Sequence, residues 1–249
     1  MQHKNLPFHF GRKYAGQTSN WMHSDNDENY QRMMLNPVHC EYFIKQGWDQ
    51  PNCITYAINS DGFRSDEFDT TRSGMLALGC SFTFGIGLPI QQTWPMLVST
   101  SIGLDCWNIA WPGISADTCF RLAEYWITAL QPKLVCQLMP PRDRFELITG
   151  NTDLPVEVFM PMSQSVLFSN SDVYLKHWFA ESENAHVNQR KNMLATRALC
   201  AERNIPFIVK YADQEMSGSL EQLEYARDYM HAGPRGHQML AGKILNERT

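Results

Sequence analysis

Two stretches of this chain carry residue types that can do covalent chemistry. In the first, an apolar run from Met75 to Leu78 ends at Gly79-Cys80-Ser81, with Gly85 and Gly87 close behind. A run that is continuous rather than alternating reads as a strand buried on both faces. A strand that stops at Gly-x-Ser sets a hydroxyl at the carboxyl edge of a sheet, where open α/β folds build their sites. The amide groups just after it are then free to face a developing negative charge. The second stretch is Asp228-Tyr229-Met230-His231, ahead of a helix opening at Pro234. A serine nucleophile needs a base within hydrogen-bond reach, and the base needs an orienting group. An Asp three residues before a His lets one loop bring the carboxylate under the imidazole. Each stretch alone also has a plainer reading. The first is then a glycine-rich turn with an incidental serine, and the second an Asp capping a turn beside a surface histidine.

The elements that would position these residues become regular from Gly74 onward. Strand candidates recur at Met75–Leu78, Leu104–Ile109, Leu134–Met139 and Phe207–Tyr211. Between them lie helical segments at Thr93–Ile102, Ser115–Leu130 and Asn188–Arg203, with a last one at Pro234–Asn246. Thr93 stands as a cap with Pro95 in the first turn, and Cys119, Leu122, Ala123, Trp126, Ile127 and Leu130 form a helical stripe. Strands alternating with helices imply right-handed βαβ units around a parallel sheet. Ile54–Asn59 is β-prone and is followed by the turn signal Ser60-Asp61-Gly62. Pro140–Ala185 is long, poorly periodic and rich in aromatics, the pattern of an active-site lid or of a connection that only decorates the surface.

The 249 residues allow one large or two small domains, and 43% hydrophobic with 19% charged residues describes an ordinary globular protein. The net charge of −5, with Lys and Arg scattered, argues against a nucleic-acid binder. No apolar run is long enough to span a bilayer, and the first ten residues lack the apolar core of a signal peptide, so a cytoplasmic location and no membrane partner are expected. The seven cysteines, Cys40, Cys53, Cys80, Cys106, Cys119, Cys136 and Cys200, are odd in number and none share zinc-type spacing. They read as reduced. Residues 1–50 are polar and weakly periodic, with the acidic Met22–Tyr30 read as solvated loop or helix start. His3, His9, His23 and His39 have no i, i+4 partner and read as non-ligands.

Together the two stretches resemble the SGNH hydrolase superfamily, also called GDSL-type esterases and lipases. Gly79-Cys80-Ser81-Phe82-Thr83-Phe84-Gly85 is similar to its first block, Asn108-Ile109-Ala110-Trp111-Pro112-Gly113 to its second, and Asp228-x-x-His231 with Gly233 and His237 to its last. Asn59-Ser60-Asp61-Gly62-Phe63-Arg64 resembles the Asn-x-x-Gly-Phe-Arg lead-in of many members. The resemblance implies a three-layer α/β/α sandwich around a parallel sheet, flavodoxin-like, over residues 56–249. Residues 1–55 are then an N-terminal extension packed on it, and about 140–187 an insertion at the active site.

The activity implied is acyl transfer. Ser81 is the nucleophile, His231 the base and Asp228 its orienter, and the N–H groups of Ser81 and Gly113 form the oxyanion hole. The substrate class is a small-molecule or carbohydrate acyl ester, acetyl among the acyl groups, and neither metal nor organic cofactor is implied. One block departs from the pattern. The family's Gly-x-Asn-Asp after the third strand is replaced by Pro140-Pro141-Arg142-Asp143-Arg144. Arg142 or Arg144 can donate to the oxyanion in place of the Asn, or can pair with Asp143 or Glu146 and only order the loop. An O-acyltransferase using the same residues, and a non-catalytic binding module that keeps the fold, are the competing readings. Thr83 stands where Gly-x-Ser-x-Gly would need its second glycine, against an α/β-hydrolase elbow. Neither a P-loop nor Gly-x-Gly-x-x-Gly matches Gly79–Gly87. Trp111, Phe82 and Phe84 stand where they could line an acyl pocket or simply belong to the core.

Overall fold

A computed structural model describes residues 7–148, 156–159, 182–216 and 224–248. Four strands, β3 (Gly74–Leu78), β4 (Asp105–Asn108), β5 (Leu134–Met139) and β8 (Phe207–Tyr211), form one parallel sheet in the order β4-β3-β5-β8. The chain steps from β3 to one side for β4 and to the other for β5, so the carboxyl end of β3 lies at a topological switch point.

Alternation within the central strands builds two separate cores. Leu76, Leu78 and Val135 face α5 (Ala116–Leu130), where they meet Cys119, Leu122, Trp126 and Ile127. Met75, Ala77, Leu134, Cys136 and Leu138 face the opposite layer. That layer is α4 (Trp94–Ile102) and α8 (Pro234–Glu247), contributing Trp94, Val98, Leu240, Ala241 and Ile244. The architecture is therefore α/β with helices on both faces of a parallel sheet, as expected. The long α6 (Ser182–Glu202) packs beside α5, and α7 (Ala212–Glu215) follows β8 directly.

Several boundaries differ from the sequence reading for local reasons. Thr93 precedes α4 but does not cap it, because its Oγ1 donates to the Ile90 carbonyl at 2.7 Å. The free Trp94 N–H is taken instead by His237 Nδ1 at 3.0 Å. Ser115 does cap α5, accepting from Thr118 N–H at 3.3 Å. Of the β-prone Ile54–Asn59, only β2 (Tyr56–Ala57) pairs, antiparallel to β1 (Thr18–Ser19). The stretch after Pro140 is less irregular than expected. β6 (Phe145–Ile148) and β7 (Val156–Phe159) pair antiparallel, and α6 begins at Ser182. The rest of the expected lid lies outside the described residues.

The acidic Met22–Tyr30 stretch is not simply solvated. α1 (Asp27–Met34) starts inside it, and Met22, Asp25 and Tyr30 are buried. Tyr30 joins Phe43 of α2 (Pro37–Gln46) and Trp48 in the same core as β3 and α5. Among the described residues no helix is long and apolar enough to cross a membrane.

Candidate active site

At the end of β3 the chain turns on Gly79, whose φ of +154° lies where side chains are strained. A Cβ there would sit 2.1 Å from Thr83 Oγ1 and 2.9 Å from the Leu138 carbonyl. The turn delivers Ser81 as the first residue of the short α3 (Ser81–Phe84). The Cys80 carbonyl accepts from the N–H groups of Thr83 and Phe84 at 3.0 and 2.9 Å. The N–H groups of Ser81 and Phe82 have no hydrogen-bond partner among the described residues.

Two buried side chains fix this turn from outside. Arg64 donates to four carbonyls, those of Phe84 at 3.2 Å, Gly85 at 2.6 Å, Leu88 at 2.8 Å and Thr55 at 3.0 Å. Its guanidinium also lies 4.3 Å from the Tyr56 ring centre. Burial lowers its pKa to about 10, which leaves it charged at neutral pH. The lead-in residues make this reach possible. Asn59 Oδ1 accepts from Phe63 N–H at 2.9 Å, and Gly62, at φ +92°, passes within contact of Gly11 and His9. Asn108 is the second clamp, donating to the Thr83 carbonyl at 3.0 Å while its Oδ1 accepts from Ala110 N–H at 3.1 Å. It ties the end of β4 to α3, and Gly113, at φ +80°, follows in the same connection.

His231 meets Ser81 from the far end of the chain. Its Nε2 lies 2.8 Å from Ser81 Oγ and its Nδ1 2.6 Å from Asp228 Oδ2. Asp228 Oδ1 accepts the N–H groups of Met230 and His231, each at 3.1 Å. Burial pushes the Asp228 carboxyl up, but the hydrogen bond and charge of His231, the Ser24 hydroxyl and the Met230 N–H outweigh it and hold it below the usual range. An ionised acceptor fixes the tautomer: Nδ1 carries the proton, and the Nε2 lone pair faces the serine hydroxyl. The Phe82 ring stands edge-on to the imidazole, with centroids 5.0 Å apart. Phe84 and Trp111 are fully buried and pack on each other as core.

The loop carrying Asp228 and His231 is pinned at Arg227. That guanidinium makes a bidentate pair with Asp25, at 2.8 and 2.7 Å, and donates to the Pro51 and Asn20 carbonyls. Burial raises the Asp25 carboxyl, and the Arg227 charge and the Tyr56 hydroxyl, 2.6 Å away, act against that. The Arg227 N–H reaches back to the Gly87 carbonyl at 2.9 Å, joining the two turns directly.

The two arginines proposed for the third block point to other partners. Arg142 Nη1 pairs with His186 Nε2 at 2.8 Å, and Arg144 Nη1 reaches the Ile114 carbonyl at 3.5 Å. Neither hydrogen-bonds Ser81 or His231 among the described residues. Glu146 is engaged by Arg121 rather than by either of them, at 2.8 and 2.9 Å. Ser24, Arg64, Asn108 and Arg227 had no role assigned from sequence. Arg64 and Asn108 stood inside quoted blocks, and Arg227 stood next to Asp228. Ser24 carried no local signal.

No family model matches the chain, and no curated protein matches it. Its fold is similar to solved structures. These include a member of the lipolytic G-D-S-L family from Veillonella parvula, with TM-score 0.34 and 16% identity, covering 70% of this chain and 97% of that one. A GDSL-like lipase from Bacteroides thetaiotaomicron gives TM-score 0.34 and 15% identity over 72% of this chain and 89% of that one. TesA gives TM-score 0.37 and 13% identity over 70% and 97%.

Proposed function

We propose that the protein is a serine hydrolase that cleaves small acyl esters through Ser81, His231 and Asp228. The observation that carries this is the unbroken relay from Ser81 Oγ to His231 Nε2 to Asp228 Oδ2, at 2.8 and 2.6 Å. His231 accepts the Ser81 proton as Oγ attacks the ester carbonyl, and Asp228 stabilises the imidazolium that forms. The oxyanion then faces the N–H groups of Ser81 and Gly113. His231 returns its proton to the departing alcohol, and water resolves the acyl-enzyme by the same route.

Arg142 and Arg144 remain the candidates for the third oxyanion donor, which either could supply only by leaving its present partner. A hole with one donor fewer typically costs about 10²–10³ in rate, so a slow esterase is expected. The test is labelling by a fluorophosphonate together with hydrolysis of p-nitrophenyl acetate, set beside Ser81→Ala. Both signals are expected in the wild type and absent in the variant. A wild type that neither labels nor hydrolyses overturns the reading. Labelling with acyl transfer to an added alcohol in preference to water would move it to an O-acyltransferase.

A further inference from the structure

The strip of chain before α1 reaches the opposite end of the sequence. Met22 and Asp25 close a two-residue turn on paired backbone bonds of 2.7 and 3.1 Å. His23, at its tip, takes φ +54°, a left-handed conformation uncommon outside glycine. Asn29 Nδ2 locks the turn by donating to the Ser24 carbonyl at 2.7 Å. Two consecutive side chains of this turn then meet two consecutive side chains of the loop carrying His231. Asp25 takes Arg227, and Ser24 Oγ donates to Asp228 Oδ2 at 2.7 Å.

We propose that Ser24 is a positioning residue for the acid–base pair. Its hydroxyl donates to the same carboxylate oxygen that accepts from His231 Nδ1, so it fixes the rotation of the carboxyl and limits how strongly that oxygen draws the imidazole proton. With Oδ1 held by two backbone N–H groups, Asp228 has two hydrogen-bond partners at each oxygen. A hydrogen bond to a carboxylate stabilises its charged form. Removing this one concentrates charge on the His231 side and raises the proton affinity of the imidazole. The other titratable and charged groups that act on His231 or Asp228 stay in place when Ser24 changes. They are Asp25 and His23 on the turn and His237 on α8, and Arg227 on the loop is paired with Asp25.

This proposal rests on His231 being the base, and two readouts separate the two ideas. The first is a ¹H–¹⁵N titration of the His231 imidazole in wild type, Ser24→Ala, Ser24→Cys and Ser24→Thr, which needs no turnover. The second is the pH profile of p-nitrophenyl acetate hydrolysis. Ser24→Ala is expected to raise the His231 midpoint, with the acid limb of kcat/KM moving in the same direction. The kcat falls about 3–10-fold with KM unchanged. Ser24→Cys, close in shape but a weak donor, moves the same way, and Ser24→Thr restores both values. A His231 midpoint unchanged in folded Ser24→Ala or Ser24→Cys overturns the proposal. If the wild type hydrolyses nothing, the esterase reading falls while the titration still decides the role of Ser24.

Discussion

Two buried arginines hold the two halves of the candidate site, and they do it differently. Arg64 grips the turn after Ser81 through carbonyls, a charge spread over four dipoles with no carboxylate hydrogen-bonded to it among the described residues. Arg227 grips the loop before His231 through a bidentate pair with Asp25, and both side chains are essentially without solvent contact. The first arrangement follows from local chain geometry, since Arg64 lies about twenty residues from the turn it holds. The second joins segments 202 residues apart. A guanidinium can therefore frame a reacting group either as a local backbone brace or as half of a long-range ion pair, and the consequences of losing it differ.

The sharpest break in that contrast is Arg227→Met. It leaves Asp25 buried without its cation, and removing one partner of such a pair costs about 3–5 kcal/mol. Urea denaturation should show that loss, and adding Asp25→Asn to the same chain should recover part of it. Arg64→Met strands no carboxylate among those partners, so its stability loss is expected to be smaller, about 1–3 kcal/mol for the carbonyls left unpaired. Its effect on p-nitrophenyl acetate hydrolysis should exceed its effect on stability, because those carbonyls shape the turn carrying Ser81. Equal stability losses in the two variants would remove the distinction.

The effect that is smallest at neutral pH, and grows only as pH falls, concerns His237, which accepts the Trp94 N–H at the start of α4. Burial holds its pKa at about 3, against an ordinary value of 6.5. As pH falls, the unfolded chain takes up this proton before the folded one does. The stability contributed is complete above about pH 6.5 and is lost as pH falls from there toward 3, by roughly 1.4 kcal/mol per pH unit. His9, whose value burial holds at about 4, adds to the same slope. His237→Gln should flatten the pH dependence of stability across that window by one proton, and a slope equal to wild type would show that His237 is not its source.

The parts legible in sequence were those whose cause is local. Continuous apolar runs and the glycine at Gly79 announced the sheet and the turn at its edge, and the spacing of Asp228 and His231 announced one loop. What escaped depends on contacts that no window of sequence contains. Met22–Tyr30 was read as solvated loop or helix start; α1 does begin inside it, but the burial of Asp25 escaped because its partner, Arg227, is not nearby in the chain. Thr93 looked like a cap because its type and position fit, yet its hydroxyl bonded back to Ile90 and left Trp94 to His237. The pairing of β6 with β7 was hidden for the same reason, since poor periodicity in one strand says nothing about its neighbour.

The contacts of Ser24 and Asp25 with residues more than 200 positions away also set an order of events during synthesis. The N-terminal turn is made long before its partners exist, so Asp25 is without its cation until Arg227 emerges. Contacts this distant in sequence carry the loop-closure cost that slows folding. The relay to Ser81 is then among the later features to assemble, since the nascent chain lacks it until Asp228 and His231 have been made.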